Sequence, residues 1–528
     1  MRFFNTAGPV RCEVHYCLPP LTRFDLDQVL MLIDQQKYFV LHAPRQTGKT
    51  TYLLALMDYL NQEGRYRCLY FNVEAAQSAR EDVRRGVRVI LEEIALRADA
   101  SLNDAFVRDT WPGIFERSGE HGALNSLLTR WAEHSPQPLV LLIDEIDTLV
   151  GDTLIAVLRQ LRAGYDKRPA FFPQSVILCG VWDVRDYRLR SANGKAIITG
   201  GSAFNIKAES LRMGDFSRAE VETLYQQHTQ ETGQVFEPEA LQQVWELTQG
   251  QPWLVNALGY ETCFKMESGR DRSQPITAEL ITEAKERLIL HRETHIDQLV
   301  DKLKEARVRR VISPMLRGDS LDRAVSQDDI QYVIDLGLVR RREMGLQIAN
   351  PIYREVIPRE LGFIVQLDLE SSIQPMWYVA PDGRLDMSKL LAAFQEFFRE
   401  HSEHWVERFD YKEAGPQLLL QAFLQRIVNQ GGRVEREYGL GRRRTDLLVI
   451  WSYPAGVQKT VIETKVLYHS LERTISEGLV QTWDYMDRCG VVEGHLVIFD
   501  RTEDKPWEEK LFQRSETYQG TEITVWGM

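Results

Sequence analysis

The sequence predicts an α/β protein of several domains, because patterns of buried strands alternate with helical patterns in the first half and return in the last third. Its 528 residues exceed what one hydrophobic core usually covers, so about two to four domains are expected. Hydrophobic residues make up 44% and charged residues 27%, as in ordinary globular proteins. No stretch approaches the ~20 apolar residues that span a bilayer, and the N-terminus lacks a secretory pattern. A cytoplasmic protein without a membrane partner is therefore expected.

Four short apolar runs in the first half predict strands that are buried on both faces, which is typical of a parallel sheet. Amphipathic segments between these runs predict the covering helices, so the order is that of a doubly wound α/β domain. The predicted strands cover residues 37–43, 68–74, 138–145 and 175–181, and the predicted helices cover 49–60, 80–98, 121–133 and 151–163.

The segment APRQTGKT at 43–50 lies between the first predicted strand and the first predicted helix. A loop in this position can wrap backbone N–H groups around phosphate. Lys49 would reach the outer phosphates and the hydroxyl of Thr50 would bind magnesium, while Ala43 stands where such loops usually carry their first glycine. The residues predicted to bind nucleotide here are Pro44, Arg45, Gln46, Thr47, Gly48, Lys49, Thr50 and Thr51.

The run LVLLIDEID at 139–147 places acids at the carboxyl end of the third predicted strand, where open α/β sheets bind ligands. Asp144 is predicted to hold magnesium through water, and Glu145 to orient or polarise the attacking water. The alternative is that both acids only cap a helix. Their position after an apolar strand, downstream of the phosphate loop, favours an ATPase site with ATP and Mg²⁺ as its ligands.

These motifs resemble the AAA-like P-loop ATPases related to archaeal ATPases and to the signal-transducing STAND class, over roughly residues 10–361. The resemblance also rests on His15, Tyr16, Arg23, SAFNI at 202–206 and TQGQPWLV at 248–255. In such families a Gly-x-Pro element lies in a helical lid near the adenine, which implies that Pro252 contacts the nucleotide. The resemblance further implies homo-oligomers or nucleotide-driven assemblies.

A basic residue that approaches the terminal phosphate is expected in GVWDVRDYRLR, after the fourth strand. Arg185 is the predicted nucleotide contact, with Arg188 and Arg190 close by, acting in cis or from a neighbouring subunit as an arginine finger. Relatives often carry a polar or basic sensor where this chain has Trp182, which suggests slow, switch-like hydrolysis. The alternative is that these arginines are surface charges.

Helical patterns replace the strands after the predicted ATPase core at 1–211 and predict a lid at 212–296. The next segment predicts a helix, a hairpin that turns at Met344 and Gly345, and a closing helix, which is the order of a winged helix at 297–361. A winged helix can read DNA. In STAND-like relatives it commonly packs against the ATPase as a relay, and we favour the relay here.

Proline and glycine turn signals at 362–385 predict a linker before a last domain at 386–528. In that domain an apolar helix at 415–430 precedes a hairpin, a third strand, a helix and a fourth strand. Asp446 begins the second strand, while Glu463 and Lys465 are two apart on the third and share one face. Asp446 and Glu463 would supply hard oxygen ligands for Mg²⁺ or Mn²⁺. Lys465 would position the attacking water and stabilise the developing phosphate charge.

This order resembles the PD-(D/E)XK nuclease superfamily, a restriction-endonuclease-like α/β fold, in the variant fused behind AAA-like ATPases. The resemblance implies a supporting catalytic residue on the helix after the third strand, where the chain has Gln481. Many members also place a glutamate on the first helix, whereas this chain offers Gln417, Gln421 and Gln425. An inactive nuclease-like binding domain is therefore the alternative.

The net charge of −12 opposes nonspecific binding of nucleic acid, so contact with DNA or RNA must use local basic patches. Arg442, Arg443 and Arg444 beside Asp446 favour phosphate binding. Two other arginine runs, at 307–310 and 340–342, either contact nucleic acid or pair with acids. The six cysteines lack CxxC spacing, which argues against structural zinc, and a cytoplasmic location would keep them reduced.

Together the motifs predict an ATP-binding and ATP-hydrolysing protein whose nucleotide state controls a metal-dependent nuclease, with DNA favoured over RNA as the substrate. A role in defence or mobile-element biology follows only by analogy with such fusions. The alternative is a slow ATPase switch joined to a catalytically inactive nuclease-like binding domain.

Overall fold

The structure is a computed structural model of the chain. It describes residues 1–181, 188–190, 197–199, 206–291, 294–317, 325–342, 345–359, 378–407, 415–428, 432–439, 444–467, 470–502 and 505–528. Two compact units divide the chain. The first comprises Met1–Leu290 with Asp335–Gly337, and the second comprises His291–Ile334 with Leu338–Met528. Among the described residues, no helix has the length and apolar character needed to cross a membrane.

The first unit contains seven strands within its described residues: β1 (Tyr38–His42), β2 (Arg67–Asn72), β3 (Leu139–Asp144), β4 (Ser175–Gly180), β5 (Arg188–Arg190), β6 (Ile197–Thr199) and β7 (Lys207–Arg212). Five of them form a parallel sheet in the order β2-β3-β4-β1-β7, and β5 pairs with β6. β1, β3 and β4 are buried along their whole length, as their apolar sequences require. The four predicted strands are confirmed, and β7 adds an edge that its polar sequence, KAESLR, does not reveal.

Six helices belong to this α/β part: α1 (Leu26–Asp34), α2 (Lys49–Glu63), α3 (Val83–Leu102), α4 (Phe106–Ser118), α5 (Ala123–His134) and α6 (Gly151–Ala163). One face of the sheet packs against α3 to α6 and the other against α1 and α2. The doubly wound α/β arrangement is therefore confirmed. Helix α4 is absent from the sequence-based prediction.

Helices alone follow β7 in the first unit, as predicted: α7 (Arg218–Thr232), α8 (Pro238–Thr248), α9 (Pro252–Tyr260), α10 (Glu267–Arg270) and α11 (Ala278–Leu290). Ser217 and Glu220 form a capping box at the start of α7, which satisfies its first N–H groups. Gly250 precedes α9 with a φ of +81° and lies against the carbonyl oxygen of Phe216. We refer to α7–α11 as the lid helices.

Cys12 and Cys17 form a disulfide, with their Cα atoms 5.2 Å apart. The chain turns between them, where the N–H groups of Val14 and His15 donate to the carbonyl oxygen of Arg11. The prediction that all cysteines are reduced is therefore wrong for this pair. Sequence spacing alone did not reveal the turn that brings the two thiols together.

The second unit begins with α12 (Thr294–Leu303), α13 (Ala306–Arg317) and α14 (Gln327–Asp335), of which the last residue belongs to the first unit. An antiparallel hairpin of β8 (Val339–Arg342) and β9 (Gly345–Ile348) follows, and residues 351–359 are helical. Helix α14, this hairpin and the helical residues 351–359 follow one another in the predicted order, and the winged-helix domain itself stays a prediction. Gly345 starts β9, while Met344 lies outside the described residues.

The rest of the second unit is built from α15 (Met387–Glu407), α16 (Gly415–Val428), β10 (Gly432–Gly439), β11 (Arg444–Tyr453), β12 (Gly456–Val466), α17 (Leu471–Cys489), β13 (Gly494–Phe499), α18 (Trp507–Lys510), β14 (Phe512–Tyr518) and β15 (Thr521–Gly527). Its six strands form one mixed sheet in the order β10-β11-β12-β13-β15-β14. β11 pairs antiparallel with both β10 and β12, whereas β13 pairs parallel with both β12 and β15. The predicted order of elements from α16 to β13 is found, and β14 and β15 extend the sheet beyond the prediction.

Candidate functional site

The loop between β1 and α2 closes around the side chain of Lys49. Gln46 and Gly48 have positive φ angles of 58° and 94°, which turn the backbone toward the start of α2. Lys49 is buried, and its Nζ donates to the carbonyl oxygens of Ala43 and Pro44, each at 3.0 Å. Ala43 itself has no positive φ, so an alanine is tolerated where glycine is usual. The loop therefore presents backbone N–H groups at a helix N-terminus, which is an anion-binding arrangement.

The two nucleotide motifs predicted from the sequence meet at Asp144. The hydroxyl of Thr50 donates to Asp144 Oδ2 at 2.7 Å across 94 residues of sequence. The hydroxyl of Tyr70 donates to the same oxygen at 3.0 Å, and the N–H of Glu145 donates to Oδ1 at 3.0 Å. Asp144 is 0% exposed. Its carboxylate beside a threonine hydroxyl forms a set of hard oxygen donors that fits Mg²⁺.

Glu145 follows the end of β3 in a left-handed conformation, with a φ of 56°. Burial raises the pKa of this carboxyl to about 7, and the nearby Lys49 acts in the opposite direction. Burial likewise raises the pKa of Asp147. An acid with a pKa near neutrality is suited to exchange a proton with water during hydrolysis.

A cavity of about 720 Å³, part of it open to solvent, lies beside the phosphate loop. Residues 46–48 of the loop line one end of it, and Phe216, Pro252 and Trp253 line the lid wall. Ligand sites of this kind combine an apolar lining with a few polar groups that fix orientation. The cavity thus lies between an anion-binding loop and an apolar and aromatic wall.

Residues 1–18, here called the N-terminal segment, connect the lid helices to the phosphate loop. Gln227 of α7 accepts from the N–H of Cys17 at 3.0 Å and donates to its carbonyl oxygen at 2.9 Å. At the other end, the N–H of Val10 donates to the hydroxyl of Thr51 at 3.0 Å. The indole N–H of Trp253 donates to the carbonyl oxygen of Thr6 at 3.0 Å. The segment therefore forms part of the cavity and ties its two sides together.

Five of the eleven residues predicted to bind nucleotide line this cavity, namely Gln46, Thr47, Gly48, Thr51 and Pro252. Pro252 lines the cavity, as do Tyr16 and Arg23 of the family resemblance. Arg185 and Trp182 lie outside the described residues, so the structure does not test the predicted phosphate sensor. Sequence reasoning missed the contributions of residues 5–8, Phe216 and Asn256. No motif marks these residues, because they converge only through the packing of the N-terminal segment on the lid helices.

In the second unit, the backbone brings Asp446 opposite Glu463. β11 and β12 are antiparallel, and these two residues are direct partners in register. Paired positions lie about 4.5 to 5.5 Å apart between Cα atoms and share a face of the sheet. The side chain of Asp446 is outside the described part of the structure.

Glu463 and Lys465 form an ion pair on β12, in which Glu463 is 0% exposed and the side chain of Lys465 is 14% exposed. Val461 lies on the same face of β12 and packs with Ile475 and Leu479 of α17. The ion pair is therefore on the face of the sheet that α17 covers. This is also the helix that carries Gln481.

Gln417, Gln421 and Gln425 are buried on α16, so their side chains face inward. Among the described residues, the side-chain amide of Gln417 has no hydrogen-bond partner. Gln481 is half-buried on α17. Helix α16 therefore presents these amides to the interior.

The arginine runs differ in their surroundings. Arg307 and Arg310 both bind Asp329, at 2.8 and 2.9 Å. Burial acts to raise the pKa of Asp329, but the two guanidinium groups outweigh it and hold this pKa below its usual range. The first run is thus engaged in internal ion pairs, which is the alternative that the sequence left open for it.

The structure describes the other two runs only in part. Arg341 and Arg342 are exposed on β8. Arg442 and Arg443 lie outside the described residues, and Arg444 begins β11. Their predicted contact with nucleic acid therefore stays a prediction.

Among the side chains that the structure describes, no group of three or more histidine, cysteine, aspartate and glutamate residues is arranged to hold a metal ion. Asp446 is not among those side chains. The carboxylate of Glu463 opposite the position of Asp446 still provides the oxygen chemistry that Mg²⁺ or Mn²⁺ prefers. Binding of Mg²⁺ or Mn²⁺ at this position therefore stays a prediction.

A family model described as an AAA domain matches residues 33–187. Among solved structures, a Walker-type ATPase of Pyrococcus abyssi shares 13% identity over 66% of this chain and 98% of its own, with a TM-score of 0.41. Cdc6p from Pyrobaculum aerophilum shares 16% identity over 64% of this chain and 93% of its own, with a TM-score of 0.35. RuvB from Thermotoga maritima shares 12% identity over 61% and 90%, with a TM-score of 0.33. No curated protein matches at a significant level.

The matched residues contain β1, the phosphate loop, α2 and the acids that end β3. The family match and the Thr50–Asp144 hydrogen bond thus fall on the same elements. The N-terminal region of this chain is an AAA domain of the P-loop ATPase type.

Proposed function

We propose that the first unit binds and hydrolyses ATP. The observation that carries this proposal is the hydrogen bond of 2.7 Å between Thr50 and Asp144, which joins the phosphate loop to the acids at the end of β3. The phosphates of ATP would lie against the N–H groups of residues 44–51 and the ammonium of Lys49. Thr50 and Asp144 would hold Mg²⁺, which supplies charge neutralisation at the outer phosphates. Glu145 would orient the attacking water and take its proton.

We further propose that the second unit cleaves phosphodiester bonds of nucleic acid, DNA in preference to RNA, with Mg²⁺ or Mn²⁺. The register of Asp446 opposite Glu463, with Lys465 on the same face, supports this assignment. Asp446 and Glu463 would hold the metal, which supplies Lewis acidity at the scissile phosphate. Lys465 would stabilise negative charge there, with Gln481 as a supporting polar group.

The nucleotide state is proposed to control this cleavage. Support comes from residues 335–337, which belong to the first unit although the elements on either side of them belong to the second. Asp335 is buried and pairs with Arg212, at the end of β7, at 3.8 Å. A Cβ on Gly337 would come within 2.8 Å of Pro44 in the phosphate loop. A movement of that loop on nucleotide binding would therefore displace residues 335–337.

Arg185 would complete the ATPase site, either in cis or from a second copy of the chain. The same proposal includes a homo-oligomer or a nucleotide-driven assembly of the STAND kind. It places the protein in the cytoplasm. Size-exclusion chromatography with light scattering, with and without ATP, tests the assembly. A monomer under both conditions would contradict it.

A second candidate function is favoured by one specific observation, namely that Glu463 is 0% exposed and directly paired with Lys465. A buried ion pair can be a structural feature of a domain that binds nucleic acid or protein without cutting. In that case the protein would be a slow ATPase switch, and the AAA domain would time binding by the second unit.

A cleavage assay on full-length protein separates the two functions. Single- and double-stranded DNA and RNA are incubated with Mg²⁺ or Mn²⁺, with and without ATP, and the products are resolved on denaturing gels. We expect metal-dependent cutting of DNA that is lost in Asp446→Ala. Equal cutting by wild type and Asp446→Ala would assign the activity to a contaminant, and no cutting of any substrate would favour the switch.

A further inference from the structure

The cavity beside the phosphate loop has a wall that belongs to the lid helices. Phe216, Leu224, Pro252 and Trp253 provide its apolar and aromatic surface, and the guanidinium of Arg23 lies 4.4 Å from the centre of the Phe216 ring. With the phosphates of a nucleotide at residues 46–48, the base would lie against this wall. Apolar walls hold any purine, so discrimination among bases needs a polar group.

Most polar side chains at this cavity are already used within the protein. Asn5 donates to the carbonyl oxygen of Gly8 and accepts from the N–H of Ala7. The hydroxyl of Thr47 donates to the carbonyl oxygen of Pro44, and that of Thr51 accepts from Val10. These groups hold the loop and the N-terminal segment in place, so they have little capacity left for a base.

Asn256 is different. It lies one turn beyond Pro252 on α9, lines the cavity and is only 8% exposed. Its Nδ2 donates to the carbonyl oxygen of Pro252 at 2.8 Å, and because a carbonyl can only accept, this bond fixes which end of the amide is the oxygen. Among the described residues that line the cavity, the Oδ1 of Asn256 is the buried side-chain acceptor without a hydrogen-bond partner.

We propose that Asn256 Oδ1 accepts a hydrogen bond from the exocyclic amino group of an adenine base and so sets the base specificity of the site. The inference rests on the proposed nucleotide function and adds the group that distinguishes adenine from other purines. A buried acceptor that is left unpaired costs free energy, and the 6-amino group of adenine is a donor that removes this cost. Guanine and hypoxanthine carry an oxygen at the same place, which Oδ1 would repel.

The test compares ATP with purine riboside 5′-triphosphate, which has the same ring, ribose and phosphates but no amino group at position 6. Affinities of the full-length protein are measured by isothermal titration calorimetry with Mg²⁺. Wild type should bind ATP about fivefold to tenfold more tightly than the analogue, the range of one buried neutral hydrogen bond. In Asn256→Leu the ratio of the two affinities should fall to about 1.

Asn5→Leu is the matched control, because Asn5 lines the same cavity with both ends of its amide already bonded. Whatever its effect on either affinity, the ratio should stay at the wild-type value. GTP provides a second readout, since Asn256→Leu should reduce the difference between the affinities for ATP and GTP. The wild-type comparison needs no substitution, so the inference is tested even where a variant does not fold.

The outcomes separate this inference from the function on which it rests. If wild type binds ATP and the analogue equally well, or if Asn256→Leu keeps the wild-type ratio, the inference is wrong and the nucleotide site stands. If neither triphosphate binds to wild type, the proposed nucleotide site fails, and the base specificity fails with it.

Discussion

Glu145 illustrates how the fold gives one residue a property that its sequence neighbours do not suggest. LVLLIDEID marks it as an acid beyond a buried strand, and that much can be read from the pattern. Its pKa of about 7 depends on burial at the end of β3, with Lys49 opposing the shift. Such desolvation arises from residues distant in sequence, so it could not be predicted from the motif.

This pKa predicts how ATP hydrolysis responds to pH. Glu145 must be deprotonated to accept a proton from water, so its active fraction rises as the pH passes through about 7. The hydrolysis rate at saturating ATP should rise by roughly an order of magnitude between pH 6 and pH 8. A coupled-enzyme assay over this range measures it.

Glu145→Gln is the control for this pH dependence. It should retain nucleotide binding, lose at least about a hundredfold in rate, and leave a residual rate that does not depend on pH in this window. A wild-type rate that is flat from pH 6 to pH 8 would show that Glu145 is not the base.

Among the secondary-structure elements, strands that are buried along their whole length were predictable, whereas the polar strands β7 and β14 were not. β1, β3 and β4 are almost wholly apolar, and the expected strands are found there. β7 has the sequence KAESLR and is a strand only because β1 offers it an unpaired edge. The second unit shows the same effect in β14, where exposed and half-buried residues alternate. Pairing partners decide such strands, and their positions are a tertiary property.

Gly250 is a position at which the lid helices depend on the absence of a side chain. Its φ is +81°, and a Cβ there would lie 2.0 Å from the carbonyl oxygen of Phe216. Gly250→Ala should therefore lower the free energy of unfolding by more than about 2 kcal/mol. It should also weaken ATP binding, because Phe216 lines the cavity. Urea unfolding and calorimetry measure the two effects.

Gly233→Ala provides the matched control. Gly233 has nearly the same φ, +79°, but a Cβ there would meet no atom within 4 Å. It should cost only the backbone strain, about 1 kcal/mol, and leave ATP binding unchanged. Equal destabilisation by both variants would show that the contact with Phe216 is unimportant.

Lys465 tests the proposed nuclease site on a single strand, β12. Lys465→Ala should reduce DNA cleavage at least about a hundredfold, because it removes the cation beside the proposed metal ligands. Lys459→Ala is the control. Lys459 lies on the same strand and by alternation on the same face, but it is exposed and several residues away from the ion pair of Glu463 and Lys465. Cleavage is measured as initial rate at saturating Mg²⁺. A similar rate loss in both variants would point to general electrostatic attraction of DNA.

For the molecule as a whole, the proposed control of cleavage depends on communication between the two units. Asp335, Leu336 and Gly337 carry no sequence signal of a hinge, and only the structure assigns them to the first unit. Asp335 pairs with Arg212 at the end of β7, and both residues belong to the first unit.

Nucleotide control predicts a specific loss in Lys49→Ala. In wild type, ATP should change the rate of DNA cleavage by at least about threefold. Such coupling requires that ATP binds one conformational state of the protein more tightly than the other. In Lys49→Ala the ratio of the rates with and without ATP should fall to about 1, since the phosphate loop no longer holds the nucleotide. The ratio is measured on one substrate at fixed Mg²⁺.

Lys167→Ala serves as the control for this comparison. Lys167 also belongs to the first unit, and its Nζ donates to Asn125 on α5, away from the phosphate loop. Lys167→Ala should keep the wild-type ratio of the cleavage rates with and without ATP. An ATP effect that survives in Lys49→Ala would contradict control through this site.

Local pattern was sufficient for the parts of this protein that depend on neighbours in the chain. Apolar runs specified the central strands, APRQTGKT specified a loop that ends in a helix, and alternation placed Glu463 and Lys465 on one face of a strand. Each of these features could be read without knowing how distant segments pack.

Which distant residues meet was settled by the packing of the folded chain. Packing joined Thr50 to Asp144, closed the disulfide between Cys12 and Cys17, and set Asn256 beside the cavity. These contacts join residues from separate segments or turns, and they form because burying apolar surface fixes how those segments pack. A motif names the chemistry that is available, and packing decides where it acts.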